Sequence, residues 1–533
     1  MSINVERRDF LKGAAALGAT AAVAGLMGCA STPKDDQAPQ QDGGTQGGTQ
    51  DGAQGGTQAT PDVVKDCDVV VCGTGISGLA AIVQAAELGA SVIALEAAPQ
   101  AGGNGLGVEG SFANGSPLQK EQGINFDFET LIAQEMASTQ YRVDARLWRD
   151  LYDNSGANIE WLISNGVEFS GDVNDYGTGA GIVSMHWYKD GSAGVGYVPP
   201  MVAKAQELGV EFMYSTKAEH PVMNGEKVVG VTAKTADGET VQVNAKAVIL
   251  ATGGFGADLE MLRRIGYNPD NIWYYGSEQN DGGGLRIGLE AGARDFSWNA
   301  ADNAHAYIRA LPHEGPVHMP NCGMAMAGCM IWINQDAERF VREDCGMVNF
   351  CQANPPRWNQ KEWYFVFDTT IYQTVCGMYG VDQAEGEKIL ADSVATNEGN
   401  CLYMADTIEG LAEPFGLDGA ALAKQIADYN SYCETGVDSQ WCKDVPWLVP
   451  CATGPFYIAK PETLFLMTIG AVGTDRNGQA VTEALEPIEG LYAVGVDGCM
   501  LYRNVYTIDA PGSCSGNAIN MGRTAAKHAC STL

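Results

Sequence analysis

Basic residues and histidines are scarce in this chain: 32 lysines and arginines stand against 65 aspartates and glutamates, only six histidines occur, and the net charge is −33. Because so acidic a surface repels phosphate groups, the composition argues against a nucleic-acid partner. The 15 cysteines form no CxxC or CxxCH motif, which excludes c-type haem attachment, and their spacing predicts no metal site. Disulfides, free thiols and an iron–sulfur cluster all stay open at this point.

The N-terminus has the features of an export signal. Arg7 and Arg8 precede an Ala/Gly-rich apolar stretch, residues 13–27, that is too short and too weakly apolar to span a membrane. This pattern resembles a twin-arginine signal, a route that exports folded proteins. Leu26-Met27-Gly28-Cys29 resembles a lipobox, so we predict that Cys29 carries a lipid and anchors the protein at the cell surface or in the periplasm. Soluble export after cleavage nearby is the alternative.

The chain divides by composition into five segments. Residues 1–29 are the predicted signal, and residues 30–61, rich in Gly, Gln, Thr and Asp without apolar periodicity, are a flexible linker. Residues 62–300 alternate predicted strands and helices. Residues 301–450 lose this alternation and are predicted to form an inserted cap and substrate domain. The α/β pattern returns in residues 451–533, which complete the first domain.

Residues 67–97 contain the pattern of a dinucleotide-binding unit. Residues 69–72 predict a buried strand, residues 79–88 a helix, and residues 91–95 a second strand that ends at Glu96. In the glycine turn between the first two, Gly73 permits the sharp bend, Gly75 lets a pyrophosphate approach the backbone, and Gly78 lets the helix pack closely. Free N–H groups at the helix N-terminus favour the anion, and Glu96 is placed to accept ribose hydroxyls. We predict a nucleotide cofactor held by Gly73, Gly75, Ser77, Gly78 and Glu96.

Six further motifs follow in a characteristic order: Gly102-Gly103-Asn104, residues 251–254, Asp281-Gly282, Glu338-Arg339-Phe340, residues 491–497 and residues 515–518. With them the chain resembles the fumarate reductase/succinate dehydrogenase flavoprotein superfamily, and within it the single-chain soluble reductases and the 3-ketosteroid dehydrogenases. The resemblance covers roughly residues 62–533. It implies non-covalently bound FAD and an α/β fold, in which a discontinuous Rossmann-like FAD-binding domain carries an inserted α+β cap domain.

The resemblance also assigns cofactor contacts. Asp497 would bond the ribityl chain, and the start of the last helix would direct its positive end at the flavin. The alternative for Asp497 is an ordinary strand cap, and for Thr252 and Gly253 a tight strand exit without ligand contact. The implied FAD contacts outside the fingerprint are Gly103, Asn104, Thr252, Gly253, Asp281, Asp497, Ser515, Gly516, Asn517 and Ala518.

Fumarate reductases hold two carboxylates with charged side chains, and three of these positions are uncharged here. By alignment the proton-donating arginine falls on Met347, the clamp histidine on Met467 and the clamp arginine on Ser513. A dianion is costly to desolvate without charged partners, so fumarate is not the expected substrate.

The catalytic candidates lie mainly in residues 498–513, whose length and Ala510-Pro511-Gly512 ending resemble the ketosteroid dehydrogenases. Tyr506 or Tyr502 would donate a proton or bind a carbonyl, with aromatic packing as the alternative. Arg503 would protonate the substrate or bind an anionic group, or else is a surface arginine. His305 falls near a substrate-contact segment of the superfamily and is either a ligand or a histidine of the cap interior.

The cap offers two further sets of residues. Arg339 is expected to brace the cap fold, and Arg342 is a second arginine within reach of the site. An apolar group could line a pocket for a flat hydrophobic substrate or form the cap core: Met324, Met326, Met330 and Trp332.

We therefore predict an exported FAD-dependent oxidoreductase of CH–CH bonds. It would reduce the activated C=C bond of an α,β-unsaturated carbonyl compound, with hydride passing from flavin N5 to the β-carbon. Because no haem or covalent-FMN motif is present, the electrons would come from a separate cytochrome or flavoprotein, as in anaerobic respiration. The alternatives are the reverse reaction of a 3-ketosteroid-type dehydrogenase, an amino-acid-oxidase-like activity and, from another class, a non-catalytic flavin electron-transfer lipoprotein.

Overall fold

The computed structural model describes residues 60–313, 315–347 and 350–533. The predicted signal, the lipobox cysteine Cys29 and residues 30–59 of the linker lie outside these ranges. Within them, no helix combines the length and the apolar character that crossing a membrane requires. The cysteines of the same ranges form no disulfide with one another.

The strands are short to medium in length and are distributed along the whole described chain. In chain order they are β1 Val63–Cys72, β2 Val92–Leu95, β3 Gly110–Phe112, β4 Phe169–Asn174, β5 Met185–Tyr188, β6 Glu211–Met213, β7 Thr216–Asn224, β8 Lys227–Thr235, β9 Thr240–Leu250, β10 Ile272–Tyr274, β11 Ala301–Tyr307, β12 Ile331–Asn334, β13 Trp363–Asp368, β14 Leu402–Ala405, β15 Phe456–Ala459, β16 Glu462–Ile469, β17 Gln479–Val481 and β18 Pro487–Ala493.

The α-helices alternate with these strands in the first part of the chain and cluster in the cap. They are α1 Ile76–Glu87, α2 Pro117–Gln122, α3 Phe128–Ser138, α4 Ala145–Ser164, α5 Ala193–Gly196, α6 Val198–Glu207, α7 Leu259–Arg264, α8 Gly283–Glu290, α9 His318–Gly323, α10 Asn354–Trp358, α11 Thr369–Met378, α12 Gln383–Thr396, α13 Gly419–Thr435 and α14 Ser513–Ser531.

The central sheet has the order β17-β18-β9-β1-β2-β6, with the β7–β8 hairpin attached to β9. Strands β6, β2, β1, β9 and β18 pair in parallel, while β17 and β8 are antiparallel to their neighbours. Strand β18 comes from the last quarter of the chain and lies beside β9, which confirms the predicted discontinuous Rossmann-like domain. Parallel strands of this kind are buried on both faces, and Val69, Val70 and Val71 are completely buried.

Helix α14 packs directly on α1, the helix of the dinucleotide fingerprint. A methyl group added at Gly522 would overlap the carbonyl oxygen of Ser77, so the two backbones approach each other closely. Arg523 fastens this pair to α4, since its guanidinium donates to Gln84 and to Asn158. The last helix of the chain therefore packs in the same part of the fold as the first helix, α1.

Strand β9, residues 240–250, is one continuous strand that runs along the full length of β1. The last helix begins at Ser513, because Gly512 just before it adopts a left-handed conformation with φ of 77°. Residues 515–518 therefore belong to the first turns of α14.

A second, antiparallel sheet with the order β12-β13-β15-β14 forms the core of the cap. Trp332 and Trp363 stack against each other in its interior, with ring centroids 5.4 Å apart. Met324, Met330 and Trp332 are completely buried in this core, so three of the four predicted pocket residues serve cap packing. Strand β15 joins this sheet although it lies beyond residue 450, and the exact division into domains stays a prediction.

Arg339 braces the cap as expected. Its guanidinium donates to Glu343 Oε1 and Oε2, both at 2.7 Å, and to Asp438 Oδ2 at 2.9 Å, and all three side chains are fully buried. The Lys443 ammonium lies 3.4 Å from Glu343 and completes the network. Arg342 instead pairs with Asp344 and Asp444 and is 41% exposed. The guanidinium groups of both arginines thus pair with carboxylates of the cap itself.

A three-stranded sheet, β10-β16-β11, connects the two parts. Strand β11 leads into the cap, and β16 returns from it as its antiparallel partner. The backbone of Phe255, just past the end of β9, donates to Thr468 Oγ1 on β16. This sheet therefore carries residues of the cap entrance to the edge where the central strands end, the edge at which open α/β sheets bind their ligands.

Candidate active site

The fingerprint turn has the geometry that a dinucleotide requires. Gly73 has φ of 106°, and a methyl group added there would overlap the carbonyl oxygen of Ala251, while one added at Gly78 would overlap the carbonyl oxygen of Gly73. At Gly75 the nearest atom to an added methyl group is the Gly102 oxygen, 3.6 Å away. The close packing of the turn thus requires glycine at positions 73 and 78. At Gly75, by contrast, the space beside the backbone is open to a ligand.

Glu96 lies at the end of β2, beside this turn. Its Oε2 accepts hydrogen bonds from the Thr74 backbone N–H at 2.9 Å and the Thr74 hydroxyl at 2.6 Å, and its Oε1 accepts from the Ala98 N–H at 2.8 Å. These bonds hold the carboxylate at the same sheet edge as the glycines. Ser77, one turn into α1, is buried against Gly495 at the end of β18.

Asp497 connects the exits of two central strands. Its Oδ2 accepts from the Thr252 N–H at 2.5 Å and the Thr252 hydroxyl at 2.9 Å, and its Oδ1 accepts from the Gly254 N–H at 2.8 Å. Burial raises the pKa of this carboxyl, and the same hydrogen bonds oppose the rise. The side chain therefore connects the end of β18 to the glycine turn after β9 by hydrogen bonds. Its contact with a ribityl chain stays a prediction.

The remaining predicted cofactor positions surround the same edge. Gly103 has open space where a side chain would stand, and the Asn104 amide donates to the Leu466 carbonyl at 3.0 Å and accepts from the Ser277 N–H at 2.5 Å. Asp281, before α8, pairs with Lys217 and with Arg286. Its side chain thus lies at the outer, partly exposed end of this region.

The N-terminus of α14 borders the site on its other side. The Gly512 carbonyl accepts from the Phe112 N–H at 2.9 Å, which fixes the helix start against β3. Asn517 directs its amide at the sulfur atoms of Cys499 and Met521, and Ala518 packs in the core between α14 and α1. Gly516 lies so close to Phe112 that an added methyl group would approach its backbone oxygen to 2.8 Å. Asn517 and Ala518 could reach a ligand only through their backbone.

Two helices that face this edge lack a side-chain cap, as does α8, which begins at Gly282. Helices α1 and α14 begin at glycines, Gly75 and Gly512, and no side chain caps their first turn. By contrast, aspartate side chains cap the helices away from the site: α3, α4, α11, α12 and α13. Uncapped helix N-termini are ready sites for anionic groups. Ser515 Oγ is buried without a hydrogen-bond partner among the described residues, as is Asn280 Nδ2.

These features fit a bound dinucleotide. A glycine cradle, an acidic residue at the end of β2, two uncapped helix N-termini and two orphaned polar atoms meet at one sheet edge. The predicted set would hold FAD, with the fingerprint and Glu96 at the adenosine end and α14 at the flavin end. Contacts of the individual residues with FAD stay predictions.

Tyr506 lies on the loop before α14, in a separate apolar cluster. Its side chain is 7% exposed and its ring makes an edge contact with Tyr502, with centroids 5.0 Å apart. The cluster also contains Cys351, Met326 and Met467, so residues from the cap and from β16 meet the loop here. Burial raises the pKa of Tyr506 well above its usual range, with Cys514 and Cys351 adding to the rise. The phenol is therefore protonated at neutral pH and can donate.

Tyr502 lies behind Tyr506 and is completely buried. Its hydroxyl donates to Ser513 Oγ at 2.7 Å, and its ring packs edge-on against Trp148. The Arg503 guanidinium donates to Asn299 Oδ1 at 2.6 Å and to the Arg142 carbonyl at 3.2 Å. These contacts agree with the alternatives given for both residues, aromatic packing for Tyr502 and a surface position for Arg503, and their catalytic roles stay predictions.

His305 lies on β11 and is partly exposed. Burial, with Arg357 and His318 adding positive charge nearby, lowers its pKa to about 4. Its imidazole is neutral at physiological pH, so it can form hydrogen bonds but provides no positive charge for an anion.

A tyrosine near Tyr506 was not predicted as a site residue. The Tyr176 hydroxyl donates to Glu109 Oε2 at 2.7 Å, and its ring stacks on Trp187 with centroids 5.5 Å apart. Tyr176 is 36% exposed and Glu109 is exposed as well, yet desolvation by the surrounding protein raises the pKa of both groups. Tyr176 is also an electrostatic neighbour of Tyr506.

Two buried charged residues near the cluster were also missed. Glu135 on α3 accepts a hydrogen bond of 2.6 Å from the hydroxyl of Thr507, the residue after Tyr506. Arg357 on α10 is 3% exposed and neighbours both His305 and Cys351. In the sequence, the burial of Glu135 is indicated only by its position four residues after Leu131, which places both residues on one face of α3.

The fold and the site together define an FAD-dependent oxidoreductase of the fumarate reductase/succinate dehydrogenase flavoprotein superfamily. Residues 68–509 match the FAD binding domain family, to which the chain belongs. Residues 4–24 match the signal sequence of the twin-arginine translocation pathway, which supports export.

Three similar proteins show how far the likeness extends. The vinyl phenol reductase of Lactiplantibacillus plantarum is 32% identical over 87% of this chain and 96% of its own length. The urocanate reductase of Eggerthella lenta is 29% identical over 82% of this chain and 70% of its own length. Among solved structures, the 3-ketosteroid-Δ4-(5α)-dehydrogenase of Rhodococcus jostii superimposes with a TM-score of 0.63 at 25% identity, covering 89% of this chain and 98% of that one.

Proposed function

We propose that this protein is an exported reductase of an activated C=C bond conjugated to a carbonyl or an aromatic group. The proposal is supported by the named reductases among its relatives and by one observation above all. The loop before α14 places a protonated, buried tyrosine, Tyr506, beside the uncapped helix N-terminus that would face the flavin.

Tyr506 is the group proposed to protonate the substrate. Donation requires a phenol that is uncharged at working pH, as tyrosine ordinarily is, and burial among Tyr502, Cys351 and Met467 disfavours the phenolate further. Tyr502 fixes the orientation of this ring by its edge contact, and its own hydroxyl is committed to Ser513. A proton would therefore move from Tyr506 Oη to the carbon next to the activating group.

Reduced FAD, when bound, supplies the hydride for the other carbon. The chain contributes the surroundings of that transfer. The first-turn N–H groups of α14 stabilise negative charge that develops near them, and Met326 and Met467 exclude water from the cleft. Because positions 347, 467 and 513 are uncharged, a dicarboxylate has no pair of clamps there.

Anaerobic stopped-flow mixing tests the proposal. Reduced protein is mixed with 4-vinylphenol, a cinnamate-type acid, a neutral enone and fumarate, each paired with its saturated analogue as control, and the return of oxidised flavin absorbance is followed. We expect fast reoxidation by at least one conjugated alkene and none by fumarate. A non-catalytic electron carrier would be reoxidised by none of them.

The reverse reaction is a second candidate, since a 3-ketosteroid dehydrogenase shares the fold at 25% identity. The same cleft would then remove two hydrogens beside a ketone. Bleaching of oxidised flavin by a saturated ketosteroid, without any reoxidation by the alkenes above, would favour this direction.

Three further parts of the proposal concern the setting of the enzyme. We propose a lipid anchor on Cys29, a separate cytochrome or flavoprotein as electron donor, and the division into an FAD-binding domain, residues 62–300 and 451–533, and a cap, residues 301–450. The anchor is tested by labelling cells with a fatty-acid analogue, with Cys29→Ser as the control. Release of unlabelled wild-type protein into the soluble fraction would refute it.

A further inference from the structure

Arg357 is a buried arginine that forms no ion pair with a carboxylate of the described residues. It is 3% exposed, its Nε donates to the Ala353 carbonyl at 3.1 Å, and its Nη1 is buried without a hydrogen-bond partner among the described residues. None of the described carboxylates forms an ion pair with it. On one side the guanidinium lies over the Trp363 ring, 5.3 Å from the centroid. Burying a cation without an anion is strongly unfavourable unless something else satisfies it.

The same cap contains an arginine in the opposite condition. Arg339 is equally buried, but three of its hydrogen bonds go to the carboxylates of Glu343 and Asp438. Where the cap buries an arginine for its own stability, it therefore supplies the anions. Among the described residues Arg357 has no such anion, so its guanidinium is available to an anionic ligand.

Asp302 is the nearest described carboxyl in electrostatic terms, and its oxygens are already used. Oδ1 accepts from the Tyr267 hydroxyl at 2.9 Å, and Oδ2 accepts from the Asn354 amide at 2.5 Å. Burial raises the pKa of Asp302 to about 6 and lowers that of Arg357 to about 10. For each group, therefore, the desolvation penalty of burial exceeds the stabilisation from its neighbours. Asp302 stabilises the charge of Arg357 by electrostatic attraction, without a hydrogen bond between the two.

Arg357 also lies next to the proposed cleft. His305, partly exposed on β11, has Arg357 as its first charged neighbour. Cys351 is an electrostatic neighbour of Arg357 and packs in the cluster that contains Tyr506. Arg357 and Tyr506 thus have Cys351 as a shared neighbour, which places both residues at the edge of one cluster.

We propose that Arg357 binds one carboxylate of the substrate, whose conjugated C=C bond extends towards Tyr506. This inference rests on the proposed function and names its substrate class, the planar α,β-unsaturated monocarboxylates. A guanidinium matches one carboxylate with two parallel hydrogen bonds. A second carboxylate would have no charged partner among Met347, Met467 and Ser513, so dicarboxylates are rejected by the same site.

The test compares an acid with its uncharged isostere, cinnamate and cinnamamide, on the FAD-loaded enzyme. For the wild type we expect kcat/KM to be higher for the acid by about 30-fold or more. Arg357→Met should lower kcat/KM for the acid by a similar factor, chiefly through KM, with less than about threefold change for the amide. Arg357→Lys should restore part of the loss, since lysine keeps the charge but not the fork. Lys388→Met, an exposed charge in α12 of the cap, is the matched control and should change neither substrate.

A binding measurement without turnover accompanies it. Saturated phenylpropanoate should perturb the flavin absorbance of the wild type, and Arg357→Met should weaken its dissociation constant by about 30-fold or more. Equal losses for acid and amide would show a structural role and overturn the inference. So would a wild type that binds the saturated acid no better than its amide, a comparison that needs no variant to fold. If no alkene is reduced yet the acid binds through Arg357, the proposed function fails and this inference stands.

Discussion

Replacing Glu135 by glutamine should change how the stability of this protein depends on pH. The carboxyl is completely buried on α3, where Oε2 accepts from Thr507 and Oε1 has no partner among the described residues. Burial raises its pKa from the usual 4.5 to about 8, and Asp509 adds to the rise while the Thr507 bond opposes it. The folded protein thus keeps this carboxyl protonated at neutral pH.

The sign and the size of the effect follow from linkage. Between the two pKa values the unfolded chain binds fewer protons at this residue than the folded chain, so the free energy of unfolding falls as pH rises. Each pH unit in this window is worth about 1.4 kcal/mol. Between about pH 5 and about pH 8, Glu135 alone should therefore cost the wild type about 3 kcal/mol of stability.

The assay is urea unfolding of the FAD-saturated protein at those two pH values, followed by tryptophan fluorescence. Glu135→Gln keeps the shape and the acceptor for Thr507 but does not titrate, so it should lose about 3 kcal/mol less than the wild type between the two conditions. Glu129→Gln, an exposed position on the same helix, is the control and should follow the wild type. Parallel pH dependence in the wild type and Glu135→Gln would refute the reasoning, because it would mean that the folded carboxyl titrates normally.

Three further outcomes are expected. Tyr506→Phe should lower kcat for alkene reduction by more than about tenfold with FAD content unchanged, while Tyr502→Phe should reduce thermal stability more than kcat. A larger loss of kcat in Tyr502→Phe than in Tyr506→Phe would show that Tyr506 is not the proton donor. Gly78→Ala places a methyl group on the Gly73 carbonyl oxygen, so the purified protein should lose most of its flavin absorbance per mole; retention of full FAD would contradict the close packing described for the turn. Arg339→Met leaves the buried acid Asp438 without an ion pair and Glu343 with Lys443 alone, so it should cost about 3–5 kcal/mol of unfolding free energy. A loss below about 1 kcal/mol in urea unfolding would show that the network is dispensable.

Local patterns in the chain predicted the FAD-binding half well. The fingerprint spans about thirty residues, and its strand, turn and helix follow from apolar runs and from glycines whose positions leave no alternative. The structure confirms β1, α1 and β2 in that order and returns β18 to the same sheet. The roles predicted for the loop before α14 stay predictions, because they depend on which side chain of Tyr502, Arg503 and Tyr506 faces the substrate. Periodicity does not decide this in an irregular loop.

The residues that sequence reasoning missed are buried charges whose partners are distant in the chain. Glu135 meets Thr507, and Arg357 approaches Asp302, His305 and Cys351 from a five-residue helix. A glutamate or an arginine in a short polar stretch predicts an exposed residue. Only its surroundings in space determine whether it is solvated, paired or left without a counter-ion.

By itself the sequence determined the export signal, the parallel sheet and the nucleotide cradle, and it predicted uncharged residues at the positions that would clamp a dicarboxylate, because each depends on residue type and short-range spacing. The tertiary structure alone decided which tyrosine and which methionines pack in one cluster with the cap, and which arginine is buried without an ion pair among the described residues. Those are differences in burial and pairing between side chains that are similar in sequence. They arise because β11, β16, the loop before α14 and the cap are brought together from positions up to about two hundred residues apart.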